Sequence, residues 1–101
     1  MIETIKQTAI NTINIEAKAI QILTQSINDD FVNAIKTIFE SKGRLIVTGI
    51  GKSAIIGNKI VATLNSTGTP SIFMHAAEAI HGDLGIIQND DIIILLCNIM
   101  L

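Results

Sequence analysis

Arg44-Leu-Ile-Val-Thr-Gly49-Ile-Gly51-Lys52-Ser53-Ala-Ile-Ile-Gly57 is the stretch that decides the fold. A short apolar run meets two glycines, a lysine and a serine, and then a helical pattern begins. That order describes a strand, a loop and a helix. The glycines let the backbone approach a ligand closely. The helix start adds free N–H groups and partial positive charge, which suit an anion. Lys52 brings a full charge, and Ser53 is expected to cap the helix and to donate a hydrogen bond.

Working outward, the residues before this unit read as helices. Ile2, Ile5, Ala9, Ile13, Ile20, Leu23 and Ile27 recur at helical spacing. Asn28, Asp29 and Asp30 interrupt them and offer a new N-cap. A second helix is expected from Asp30 to Ser41, with Val32, Ile35 and Phe39 on one face and Gly43 as its C-terminal glycine. Downstream, strands and helices alternate. Leu45–Thr48 is the first strand, apolar throughout as a buried parallel strand should be. Helix three runs from Ser53 to Asn65 with its exit at Gly68. Ser71–His75 is the second strand, Ala76–His81 a short helix, and Asp91–Cys97 the third strand. The βαβ pattern predicts an α/β fold with a parallel sheet. The division expected is residues 1–42 as N-terminal helices and 43–101 as the start of a ligand-binding domain.

Composition narrows the class. The 101 residues are 49% hydrophobic, with only 3% aromatic, and mean hydropathy is +0.52. Such a chain can form one small core and is not disordered in bulk. A net charge of −2 gives no reason to expect nucleic acid. The single cysteine, Cys97, suits a reducing cytoplasm. No apolar run approaches the roughly 18 residues of a membrane span. The reading is therefore cytoplasmic, with neither nucleic acid nor membrane as partner.

A parallel sheet places its ligand beyond the carboxyl ends of its strands. The Gly49–Ser53 loop, His75 and Asn98 all follow strand ends, so one crevice should receive them. The loop is not a Walker P-loop, because Ile46 stands where that motif needs its first glycine. Gly49-Ile-Gly51-Lys-Ser-Ala54 fits a dinucleotide fingerprint, but His75 replaces the acid expected at the end of strand two. A sugar-phosphate loop and a ligand-free tight turn both stay open. In His75-Ala-Ala-Glu78-Ala-Ile-His81-Gly-Asp83, helical spacing would bring the histidines and Glu78 within about 60° of a common face. Such groups can move protons or ligate zinc; they can equally cap short helices.

Taken together, Gly49-Ile-Gly51-Lys52-Ser53, Ala62-Thr-Leu-Asn-Ser-Thr-Gly68-Thr69-Pro70 and His75-Ala-Ala-Glu-Ala-Ile-His81-Gly-Asp-Leu-Gly85 resemble the sugar isomerase (SIS) domain of arabinose 5-phosphate isomerases. The three blocks match in order and spacing. The resemblance implies a three-layer, Rossmann-like SIS fold. It implies an aldose–ketose isomerase that interconverts ribulose 5-phosphate and arabinose 5-phosphate, feeding the Kdo sugar of lipopolysaccharide. It makes Lys52 the catalytic lysine. By the same resemblance Gly68, Thr69, His75 and His81 become substrate contacts and His75 a residue that can hold zinc, while the loop itself offers Gly49, Gly51 and Ser53 to the ligand. No organic cofactor is implied, zinc is the one candidate metal, and full-length relatives are expected to be homo-oligomers.

The match breaks off at the end. The family follows its third strand with a Ser-Asn-Ser-Gly-Glu type loop, where this chain has Cys97-Asn98-Ile99-Met100-Leu101. The expectation is a SIS fold truncated after the third strand, lacking the later catalytic groups and inactive alone. The alternative is a non-catalytic sugar-phosphate-binding module or a remnant that depends on a partner. An apolar edge at Ile92–Leu96 is also expected.

Overall fold

The computed structural model describes residues 1–79 and 82–97, with the backbone alone at 83 and 84. It forms two compact units, Met1–Lys36 and Thr37–Leu101. In the first, α1 spans Ile2–Ile22 and tightens into a 3-10 turn at Leu23–Ser26. No α1 residue is buried. Helix α2, Asp29–Glu40, starts at Asn28, whose Oδ1 accepts the Phe31 N–H at 3.0 Å. Asp29 and Asp30 lie in its first turn, where negative charge meets the helix dipole favourably. The expected Asn28 to Asp30 start is therefore present.

The second unit holds the sheet. Strands β1 (Leu45–Gly49), β2 (Ser71–His75) and β3 (Ile92–Leu95) are parallel in the order β2-β1-β3. Central β1 pairs Leu45 with Ser71 on one side and with Ile92 on the other. All five of its residues are buried, Ile46 and Val47 completely. This is why the run reads as unbroken apolar residues: both edges and both faces are covered. On the outer strand β3, Ile93 and Leu95 are exposed while Ile92 and Ile94 are half-buried, so the apolar edge expected there is present.

Helix α3, Lys52–Ser66, packs on β1 and β2. It approaches the sheet at Gly57, where a Cβ would lie 2.8 Å from Phe73 Cε2 and 3.3 Å from Val47 Cγ1. Gly68, with φ of 95°, ends the helix: its N–H reaches Asn65 O at 3.3 Å, and the Thr69 N–H reaches Leu64 O at 2.9 Å. This is the double closure that only glycine makes without strain. Asn65 then acts as a piece of backbone for β2. Its Oδ1 accepts the Ser71 N–H at 2.8 Å, and its Nδ2 donates to Ser71 O at 3.0 Å. Helix α4 covers Ala76–Ala79, and a 3-10 turn follows at Asp83–Ile86.

Two local expectations are corrected. Gly43 is not a left-handed helix terminus. Positive φ among the glycines occurs at Gly51, Gly68 and Gly82. Gly43 is needed instead because a Cβ there would fall 2.0 Å from the Asp90 carbonyl oxygen. Nor does Ser53 cap α3. The N-cap is Gly51, without a side-chain cap bond, and Ser53 is a buried residue of the first turn.

Candidate functional site at the carboxyl ends of the strands

Strand β1 leaves the sheet through Gly49, where a Cβ would meet Ser53 Cβ at 3.1 Å. The strand end and the helix start therefore touch. Gly51 then turns the chain with φ 63° and ψ −129°, a conformation essentially reserved for glycine. The turn aims the start of α3 back over the sheet edge. Of its first-turn N–H groups, that of Ala54 donates to Gly51 O at 3.1 Å, and no side chain caps the helix start, so the amides of Lys52 and Ser53 lie before the first helical acceptor. Lys52 stands there as the first helical residue, with an exposed side chain.

The order β2-β1-β3 places a topological switch between β1 and β3, because the chain leaves β1 toward one side and returns on the other. Open parallel sheets receive ligands at such a point. An open cleft of about 400 Å³ lies there, lined by Lys52, Ser53, Ile56, Leu95, Leu96 and Cys97. Its described lining carries a cation, a hydroxyl and a thiol among aliphatic groups, and no carboxylate or imidazole. Beside it, the Thr48 hydroxyl at the end of β1 is buried and has no hydrogen-bond partner among the described residues.

His75 ends β2 in register with Gly49, one strand spacing of about 4.8 Å away. Its ring stands edge-to-face to Phe73, with centroids 6.4 Å apart and planes at 85°. Phe73 faces Gly57 of α3, so His75, two residues on, lies on the α3 side of the sheet. The His75 Nδ1 accepts the Ala77 N–H at 3.2 Å.

Gly49, Gly51, Lys52, Ser53 and His75 thus share one sheet edge. Gly68 and Thr69 do not join them within this chain. They precede β2, whose length of about 13 Å, at roughly 3.3 Å per residue, separates them from His75. Thr69 lines a small cavity of about 20 Å³ at the opposite edge, with Ser41, Gly43 and Arg44. His81 and Asn98 lie outside the described residues. Sequence reasoning missed the Thr48 hydroxyl and the Gly57–Phe73–His75 series. A glycine within a helix, facing an aromatic two residues before a strand-end histidine, is the signal that could have found the latter.

Zinc fits poorly with this arrangement. Among the described residues no three His, Cys, Asp or Glu side chains gather as a metal site. The Nδ1 lone pair of His75 is already engaged by the Ala77 N–H.

The parallel sheet and the glycine-lysine helix start define an α/β domain with a cationic helix start at its switch point, and comparison with known proteins makes the class specific. The SIS domain family model matches residues 37–98, and the chain belongs to that family. It is 52% identical over 87 residues to the arabinose 5-phosphate isomerase KdsD of Pseudomonas aeruginosa, covering 86% of this chain and 27% of the relative. It is 45% identical over 96 residues to the arabinose 5-phosphate isomerase GutQ of Shigella flexneri, covering 95% of this chain and 30% of the relative. The structure of c3406 of E. coli CFT073 in complex with arabinose 5-phosphate superposes with a TM-score of 0.79 at 44% identity, over 85% of this chain and 46% of that one. The chain therefore spans under a third of the length of these curated relatives. No helix among the described residues is long and apolar enough to cross a membrane.

Proposed function

We propose that this chain is the phosphate-binding first part of a SIS-family aldose–ketose isomerase, and that its ligand is arabinose 5-phosphate or ribulose 5-phosphate. The observation that carries the reading is the cleft at the β1/β3 switch, into which Gly51 turns the uncapped start of α3 beside Lys52. The phosphate sits against the first-turn N–H groups, and the Lys52 ammonium neutralises it. Lys52 is then the cation nearest any negative charge that develops on the sugar during proton transfer between adjacent carbons. His75, on the same side of the sheet, contacts a sugar oxygen. Gly49 and Ser53 keep the loop tight against the helix.

The described cleft lining contains no group suited to taking a proton from carbon. That favours binding without turnover by these residues alone, since isomerisation needs a positioned base. Titration calorimetry with arabinose 5-phosphate tests the proposal, with Lys52→Ala as the control. Loss of one charge-assisted contact worth about 1.5–3 kcal/mol weakens binding about 10- to 150-fold. Equal affinity of the two chains for arabinose 5-phosphate would refute the assignment. A coupled assay with ribulose 5-phosphate tests turnover, and the expected rate is that of the Lys52→Ala control.

A further inference from the structure

We propose that His75 works as a hydrogen-bond donor through Nε2–H, with its tautomer fixed by the Ala77 amide, and that this arrangement opposes metal binding at His75. A ring nitrogen that accepts a hydrogen bond carries no proton. The Ala77 N–H points at Nδ1 at 3.2 Å, so the proton of the neutral ring is on Nε2. A 180° flip of the ring would put Cδ2 in place of Nδ1 and forfeit the Ala77 bond, while Phe73, which faces Gly57 of α3, sets the ring plane at 85° to its own. The backbone bond spans two residues and belongs to the junction of β2 with α4.

The consequence for chemistry is specific. A metal bound at Nε2 needs that nitrogen's lone pair, which moves the proton to Nδ1. There it would face the Ala77 N–H, donor against donor, and the hydrogen bond would be lost. Metal-ligating histidines ordinarily use their second nitrogen in the opposite sense, donating to a carbonyl or carboxylate. The ring is equally unsuited to accept a proton at Nε2 while it stays in this state. What it offers is an N–H for an oxygen acceptor, such as a hydroxyl or carbonyl oxygen of a sugar. Only that choice of acceptor rests on the proposed function; the tautomer does not.

Long-range proton–nitrogen correlation spectra of the 15N-labelled chain in mildly alkaline buffer test the tautomer, with His75→Gln assigning the ring signals. The expected pattern is a protonated Nε2 and an unprotonated Nδ1. Ala77→Pro deletes the amide donor and should move the tautomer ratio about fivefold toward Nδ1–H, the worth of one net hydrogen bond. Equimolar zinc chloride should leave the His75 ring signals of the unaltered chain in place. A wild-type ring protonated on Nδ1, or one whose nitrogens shift on adding zinc, would overturn the proposal. If Ala77→Pro does not fold, the wild-type spectrum and the zinc addition decide alone. A chain that binds no sugar phosphate but keeps the Nε2–H ring overturns the proposed function and upholds this one, and the reverse pair of results does the opposite.

Discussion

Asp91 grips Arg44 with both carboxylate oxygens: Oδ2 lies 2.7 Å from Nη2, and Oδ1 accepts from Nε at 3.2 Å and from the Arg44 backbone N–H at 3.0 Å. The Gln88 N–H adds a bond to Oδ2 at 2.7 Å, and Arg44 Nη2 also donates to Ile86 O at 2.7 Å. These two residues immediately precede β1 and β3, and Ile92 N donates to Arg44 O beside them. The pair therefore sets the register of the two strands at the amino edge of the sheet. The Arg44 hydrogen bond, followed by that from Gln88, holds the Asp91 carboxyl well below the usual carboxylate range. The same hydrogen bond raises the Arg44 guanidinium.

The pH dependence follows in sign. Asp91 binds protons more weakly folded than unfolded, so its stabilisation is complete above the ordinary aspartate pKa of about 3.9. It is lost as pH falls from there through the lowered native value. Thermal melts of the chain and of Asp91→Asn should differ most near neutral pH, and the gap should narrow on acidification below about pH 4. A gap that is constant with pH would remove the carboxylate from the account.

Gly57→Ala should destabilise the chain by about 1 kcal/mol. Helix propensity favours alanine by nearly 1 kcal/mol, but the new methyl would lie 2.8 Å from the Phe73 ring, and overpacking of this kind costs about 1–3 kcal/mol. Adding Phe73→Leu should abolish the interference, so the two changes should combine non-additively in a double-mutant cycle followed by urea denaturation.

Gly51→Ala separates backbone from packing. A Cβ at Gly51 has nothing within 4 Å, so any cost is that of φ 63° and ψ −129° for an L-residue, about 1–3 kcal/mol. Because relaxing that strain swings the start of α3, affinity for arabinose 5-phosphate should fall alongside stability. Calorimetry and denaturation on one sample check both; undiminished affinity would detach the loop from the ligand.

Gly43→Ala should be the most damaging of the glycine changes. Its methyl meets the Asp90 carbonyl, which is backbone and cannot rotate aside. The expected loss is about 3 kcal/mol, seen as a lower denaturation midpoint with an unchanged slope.

What was legible in the sequence was local. Leu45–Thr48 reads as a buried strand because both of its faces are covered, and Ser71–His75 reads as a strand with its bounds correct because Asn65 and Gly68 close the helix before it. The glycine-lysine loop between strand and helix was legible because backbone freedom and charge are written in single residues, though the helix starts at Lys52 and not at Ser53. What stayed hidden depends on partners far along the chain. Gly43 resembles a helix terminator until Asp90 arrives against it. Arg44 and Asp91, 47 positions apart, are ordinary charges until the chain between them folds back. Ser53 has the composition of a cap, yet Gly51 turns the backbone earlier and buries it. Gly68 and Thr69 close one motif only a few residues before His75 opens the next, yet β2 between them carries the two to opposite ends of the strands.

Central β1 has its own consequence for how the protein is made. It is translated before either of its neighbours, and its second edge stays open until β3 emerges 47 residues later, the spacing fixed by Arg44 and Asp91. At about 5–20 residues per second this is roughly 2–9 s on the ribosome. During that interval the strand destined to be the fully buried centre of the sheet presents an unpaired row of N–H and C=O groups to whatever else is in the cell. Its exposure to chaperones and to neighbouring nascent chains is set by elongation rate, so slowed decoding between Ser71 and Asp91 should lower soluble yield without changing a single contact in the folded protein.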